Sequence, residues 1–239
     1  TVADFGHAIK VDLGMPELKP WDSAKTREAQ KNMEDSGTTL RRDEAPRGTA
    51  NATKDGRRQR TAEEEAANLD RGLDALAEVA GVRPVGYRAP MWDLSWRSPA
   101  LLAERGFLYD SSLMDADVPY ELSVNDSTSL VEIPIQWALD DWEQYCFLPD
   151  ISGSGLIETP AKARELWQAE FEGLREIGGC WVLTNHPFLT GRPSRARELG
   201  QLMEYVTSCS DVWVASLEEI ATHVRGLGLP PRSVAYPDL

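Results

Sequence analysis

Gly178-Gly179-Cys180-Trp181-Val182-Leu183-Thr184-Asn185-His186-Pro187 is the run that decides the fold. Two glycines stop a helix, five apolar, aromatic or β-branched residues then suit a strand, and His-Pro stands where that strand ends. Upstream, Thr159-Pro160 opens the helix that the glycines close, with Thr as N-cap and Pro at the first helical position. Leu166, Trp167, Phe171, Leu174 and Ile177 supply its apolar face. Downstream, a helix is expected over 194–208, a strand over Val212-Trp213-Val214-Ala215, and a last helix capped by Ser216 and Glu219 that runs towards Val224.

The same alternation extends back to Thr61. Thr61 and Glu64 form a capping box; Leu69, Leu73, Leu76 and Ala80 share one helical face, and Gly81 closes the helix. Val85-Gly86-Tyr87-Arg88-Ala89-Pro90 is expected as a strand, 98–105 as a helix, 107–111 as a strand, and 130–138 as a strand whose alternation breaks at Pro134. Strand and helix in turn argue for a parallel α/β architecture, which places working residues at the C-terminal ends of strands.

Residues 1–60 are of a different character. From Asp22 to Asn68 there is no Val, Ile, Phe, Tyr, Trp or Cys, and Met33 and Leu40 are the only large apolar side chains. Such a stretch cannot offset its ordering entropy by burial, so most of 22–60 is expected as loop, frayed helix or disorder. Residues 1–60 hold 12 basic and 10 acidic side chains (+2), whereas 61–239 hold 13 and 29 (−16). The expected division is therefore a polar N-terminal segment, 1–60, and an α/β unit, 61–239. A net charge of −14 argues against nucleic acid or an anionic membrane as partner. No run approaches the roughly 18–20 apolar residues of a membrane span. The first residues show no basic, then apolar, signal-peptide pattern. Cys146, Cys180 and Cys209 have neither disulfide nor zinc spacing. A cytoplasmic protein with a small-molecule or carbohydrate substrate is expected, and a homo-oligomer is compatible with the sequence.

Four positions stand at strand ends. Arg88 ends the first strand with Pro90 behind it, and Asp110 is followed by Ser111-Ser112. Asp140-Asp141-Trp142 follows Ile135-Gln136-Trp137, and Asn185-His186-Pro187 ends the deciding run. Each has a bland reading: a structural ion pair, a turn, a polar loop. His186 is the most informative, because imidazole titrates near neutrality and Pro stiffens the backbone behind it, as suits a positioned proton donor.

Together, Gly86-Tyr87-Arg88-Ala89-Pro90, Tyr109-Asp110-Ser111-Ser112, Trp137-Ala138-Leu139-Asp140-Asp141-Trp142, Thr184-Asn185-His186-Pro187 and Val212-Trp213-Val214-Ala215-Ser216-Leu217-Glu218-Glu219-Ile220 resemble the polysaccharide deacetylase (NodB-homology) family. Within it, the likeness is to the branch with allantoinase-like and cyclic-imide hydrolases, and it covers about residues 61–225. The resemblance implies an α/β fold, an incomplete (β/α) barrel of the NodB deacetylase type whose early strands are lacking or degenerate. It also implies a hydrolase of non-peptide carbon–nitrogen bonds, acting on an N-acetyl sugar or a cyclic amide or ureide. A divalent metal, usually zinc, and an Asp base would activate water. His186 would protonate the leaving nitrogen, oriented by Asp140 with Asp141 as the alternative, and Arg88 would keep the base ionised. Tyr87, Pro90, Trp92, Asp110 and Trp142 would contact substrate.

The family's early motifs, a base and metal-binding Asp pair and two His four residues apart, have no counterpart. The sequence holds only His7, His186 and His223, so metal ligands cannot be identified in it. Two accounts are open: a degenerate relative whose N-terminal part no longer encodes the barrel, which we favour for 1–60, or hydrolysis without the His pair. The alternative to an enzyme is an inactive relative that binds a carbohydrate or small amide without turnover.

Overall fold

The computed structural model describes residues 61–147 and 156–233, so the expectations for 1–60 lie outside the described residues. Helix α1 (Ala62–Ala80) is capped as expected: Thr61 and Glu64 each accept from the other's backbone amide, and Gly81 closes it. Strand β1 (Gly86–Tyr87) leads to a 3-10 turn (Pro90–Trp92), helix α2 (Ser98–Glu104) and strand β2 (Tyr109–Asp110). A hairpin follows, β3 (Tyr120–Asn125) and β4 (Thr128–Glu132), then a 3-10 turn (Trp137–Leu139) and the short helix α3 (Asp141–Tyr145). The chain ends in α4 (Pro160–Ile177), α5 (Pro187–Thr190), α6 (Pro193–Ser208) and α7 (Leu217–Gly226).

The strands form one four-stranded sheet in the order β1-β2-β4-β3. Pairing is parallel between β1 and β2 and between β2 and β4, and antiparallel between β3 and β4. It is a mixed α/β fold with an open sheet among the described residues, in keeping with an incomplete barrel. Gly86 is needed where β1 meets β2, because a Cβ there would run into the Tyr109 ring. Gly178 ends α4 at φ 69, a left-handed conformation that glycine adopts without steric cost.

Three expected strands change. Of the segment 130–138 only the part up to Glu132 is a ladder strand; Ile133 and Ile135 N–H still donate to Asp110 O and Leu113 O, the chain turns from Trp137, and β3 is the unforeseen partner. Cys180–Thr184 is extended, but its single ladder contact is Thr184 with Asp140, and 212–215 has none among the described residues. Alternation does hold in the first of these: Cys180 and Val182 pack with Val131, Ile133 and Val224, while Trp181 and Leu183 pack with Trp167 and Phe171. Alternating hydrophobicity specifies an extended backbone with two faces; a strand also needs a neighbour for its amides.

The largest cluster lies between α4 and α6, around Trp167, Phe171, Leu174, Leu202 and Val206. A second, with Leu73, Leu102, Phe107 and Leu130, holds α1 and α2 on the sheet. No helix among the described residues is long and apolar enough to cross a membrane.

Candidate active site

The backbone around Thr184 joins the two halves of the site. Thr184 N–H donates to Leu139 O (2.8 Å), and Asp141 N–H donates to Thr184 O (3.1 Å). This ladder sets the first residue of α3 beside the residue two places after Thr184, which is His186. Asp140 is the N-cap of α3, and its Oδ1 accepts from Trp142 N–H at 2.7 Å.

The carboxylate that holds His186 is Asp141 rather than the expected Asp140. His186 Nδ1 lies 2.6 Å from Asp141 Oδ1 but 3.6 Å from Asp140 Oδ1. Asp140 is spent on capping its own helix, whereas Asp141 projects under the His186 loop. Asp141 Oδ2 accepts from His186 N–H (2.9 Å) and from the Thr190 hydroxyl. Because an ionised carboxylate only accepts, Nδ1 carries a proton and Nε2 is the ring nitrogen left for chemistry. Asp141 is fully buried, and the His186 side chain is one-third exposed. The Asp141 hydrogen bond raises the His186 pKa above its ordinary value, against burial. Burial raises that of Asp140.

Arg88 is fixed on the other side. Its Nε donates to Ser111 O (2.9 Å), Nη2 to Ser111 Oγ (2.7 Å) and Nη1 to Thr184 Oγ1 (3.3 Å). The end of β1, the end of β2 and the His186 segment therefore share one guanidinium, whose planar fork suits three acceptors.

Two expected substrate contacts point elsewhere. Tyr87 packs edge-on to Phe107 at 6.1 Å in the cluster beneath the helices, because neighbouring strand residues face opposite ways. Asp110 is fully buried, with Oδ1 accepting from Ser112 Oγ at 2.9 Å, so it lies under the site. Pro90 is exposed at the start of its turn. Trp142 stands 5.3 Å from His186 between ring centroids, and Phe188, which the sequence reading passed over, stands 5.8 Å from His186 and 6.1 Å from Trp142. Its place two residues after His186, at the start of α5, was the available signal. Trp92 stacks on Trp137 at 4.4 Å, a second unforeseen aromatic. Met91 and Trp92 both hold positive φ, 57 and 56, a conformation that costs free energy in non-glycine residues and concentrates at functional sites.

Asp140, Asp141 and His186 bring three donor atoms within 4.8 Å of one another, the one such cluster among the described residues. The arrangement suits a proton rather than zinc. Ligand atoms on one tetrahedral zinc stand about 3.4 Å apart, whereas His186 Nδ1 and Asp141 Oδ1 are 2.6 Å apart. Asp141 Oδ2 is also already committed to His186 N–H and Thr190.

No protein-family profile matches the chain. A peptidoglycan deacetylase of Helicobacter pylori is 29% identical over 186 residues, 67% of this chain and 64% of that protein. A crystal structure from Mycobacterium smegmatis, described as a polysaccharide deacetylase, is 62% identical with a TM-score of 0.71, covering 74% of this chain and 62% of that one. An allantoinase structure, 24% identical with a TM-score of 0.58 over 70% of this chain and 54% of that one, shares the fold. The chain thus spans less than two thirds of the length of each of these relatives.

Proposed function

Since the chain belongs to the polysaccharide deacetylase (NodB-homology) family, we propose that it works as a hydrolase of non-peptide carbon–nitrogen bonds with His186 as general acid. The observation that carries this is the 2.6 Å contact of His186 Nδ1 with the buried Asp141. In amide hydrolysis water adds to the carbonyl carbon, and the carbon–nitrogen bond then breaks as the nitrogen leaves. An amine anion is too poor a leaving group near neutrality, so the nitrogen must gain a proton. His186 supplies it from Nε2, and Asp141 stabilises the imidazolium and fixes the ring. Arg88 ties the loop ends around this point. Zinc, which the resemblance implies, does not fit the Asp140–Asp141–His186 arrangement.

The H. pylori relative is a peptidoglycan deacetylase, so an N-acetylated glycan is the first substrate class, within carbohydrate metabolism, and a cyclic amide or ureide the second. Trp142 and Phe188 beside His186, together with Trp92 and Trp137, offer apolar faces of the kind that line ligand clefts. A cytoplasmic location belongs to the same proposal, supported by the free thiols Cys146, Cys180 and Cys209.

The absence from the sequence of two His four residues apart favours a second reading, a protein that binds such a ligand without turning it over. Acetate release from N-acetylglucosamine oligomers and ring opening of allantoin, with and without zinc, separate the two. Activity lost in His186→Ala supports the hydrolase, activity retained in that variant removes His186 from the role of acid, and binding without product under every condition supports the second reading.

A further inference from the structure

Beneath Arg88 lies a pair of ionisable groups that the proton donor does not use. Asp110 and Glu132 are partners in register on the parallel strands β2 and β4, and both are fully buried. Glu132 Oε1 accepts from Ser112 N–H (3.1 Å) and Leu113 N–H (2.9 Å), and Asp110 Oδ1 accepts from Ser112 Oγ–H (2.9 Å). Each side chain keeps one buried oxygen, Asp110 Oδ2 and Glu132 Oε2, that no N–H or O–H of the described residues reaches. As in-register partners on neighbouring parallel strands, the two side chains project from the same face of the sheet and lie side by side.

Two buried carboxyls side by side, each with an oxygen that no other donor reaches, need a proton between them. Two ionised carboxylates would repel in a desolvated place, and two protons would leave one O–H without an acceptor. Three charged or titratable groups come from neighbouring elements. Tyr120 pairs with Glu132 across the hairpin, Arg88 is turned onto Ser111 and Thr184, and Arg225 of α7 is held by Glu121.

We propose that Asp110 and Glu132 share a single proton at neutral pH and, as one carboxyl–carboxylate unit, are the positioning residues of Arg88. The coupling runs through two serines. Ser112 Oγ donates to Asp110 and accepts from Ala89 N–H (2.8 Å), the amide next to Arg88. Ser111, between Asp110 and the carboxyl-bound Ser112, presents its carbonyl and hydroxyl to the guanidinium. In keeping with this, burial pushes Asp110 up, and burial followed by the charge of Asp110 pushes Glu132 up to about 9. Only the purpose of placing Arg88 rests on the proposed hydrolase; the shared proton and its grip on Arg88 can be read without any assay of activity.

Infrared spectroscopy of the full chain at pH 7 should show a protonated carboxyl band that disappears in Asp110→Asn and also in Glu132→Gln, since each amide supplies the shared hydrogen and leaves its partner ionised. A wild type without the band, or a band surviving in either variant, overturns the sharing. Hydrogen exchange at Arg88 Nε–H, followed by NMR, reads the positioning. It should stay close to wild type in both amide variants and become about tenfold faster in Ser112→Ala, where the pair persists but its link to Ala89 is cut. Unchanged exchange in a folded Ser112→Ala overturns the positioning role. Asp110→Asn/Glu132→Gln, in which two NH2 groups face each other, gives a second reading of the same exchange, and unchanged exchange there overturns it equally.

Discussion

The site contains two ways of holding a buried carboxyl group, and they differ in what neutralises it. Asp141 faces a base: the ring of His186, its backbone amide and the Thr190 hydroxyl fill both of its oxygens, and the partner is one-third open to solvent. Asp110 faces another acid, Glu132, with both side chains out of contact with solvent and one oxygen on each reached by no other donor. The first arrangement raises the pKa of a histidine that is open to solvent and can exchange protons with it. The second raises the pKa of carboxyls that solvent does not reach. Proton-transfer chemistry belongs to a pair with one exposed member, whereas a sealed pair can only organise the groups around it.

The contrast is sharpest in the response to losing one member. His186→Ala should lower kcat for acetate release by about 10²–10⁴-fold, the scale of general-acid catalysis, with a stability cost of about 1–3 kcal/mol because the buried Asp141 loses a donor. Glu132→Ala should act on folding first, costing about 3–5 kcal/mol in denaturant unfolding, as removal of one partner from a buried pair does. An activity loss in His186→Ala that matched a loss of folding would erase the distinction.

Thr190→Val should cost about 1–3 kcal/mol, because Asp141 Oδ2 loses a buried donor, again read as a urea midpoint. In Asp141→Asn the His186 pKa should fall back towards its ordinary value, so the alkaline limb of the rate profile moves to lower pH. The sign for stability follows from the raised folded pKa. The contribution of His186 is fully present below its unfolded value near 6.5 and is lost as pH rises through the folded value; Asp141→Asn removes that loss. NMR titration of the ring checks the shift.

Glu132→Gln gives a tilt rather than a drop. With Glu132 raised from 4.5 to about 9, the folded protein holds more protons than the unfolded chain between those values, so wild-type stability declines across that window. The amide cannot titrate, and the variant should gain on wild type as pH rises, measured as the difference in urea midpoints.

Helix ends were legible in the sequence. The Thr61–Glu64 and Ser216–Glu219 boxes and the Thr159-Pro160 start with its Gly178 stop all form where expected. Their causes are local, within four residues of the chain, and so were written there. The order of Arg88, Asp140-Asp141 and His186 along the chain was legible for the same reason. Less was visible of how the side chains turn. Tyr87 and Asp110 sit beside the site residues in sequence yet face the interior, and Glu132, Phe188 and Trp137 gave no signal strong enough to be chosen.

What the sequence determined by itself is the five longer helices, the extended stretches between them and His186 as the candidate proton donor, because spacing, caps and side-chain chemistry are properties of short segments. The tertiary structure decided which carboxylate meets His186. Asp140 and Asp141 are neighbours of equal chemistry, and only the Thr184 ladder and the start of α3 assign one to capping and the other to the imidazole. It decided likewise that 180–184 and 212–215 stay largely unpaired among the described residues and that Glu132 meets Asp110. Each of these depends on a partner many residues away, and no local pattern specifies which partner the fold will bring.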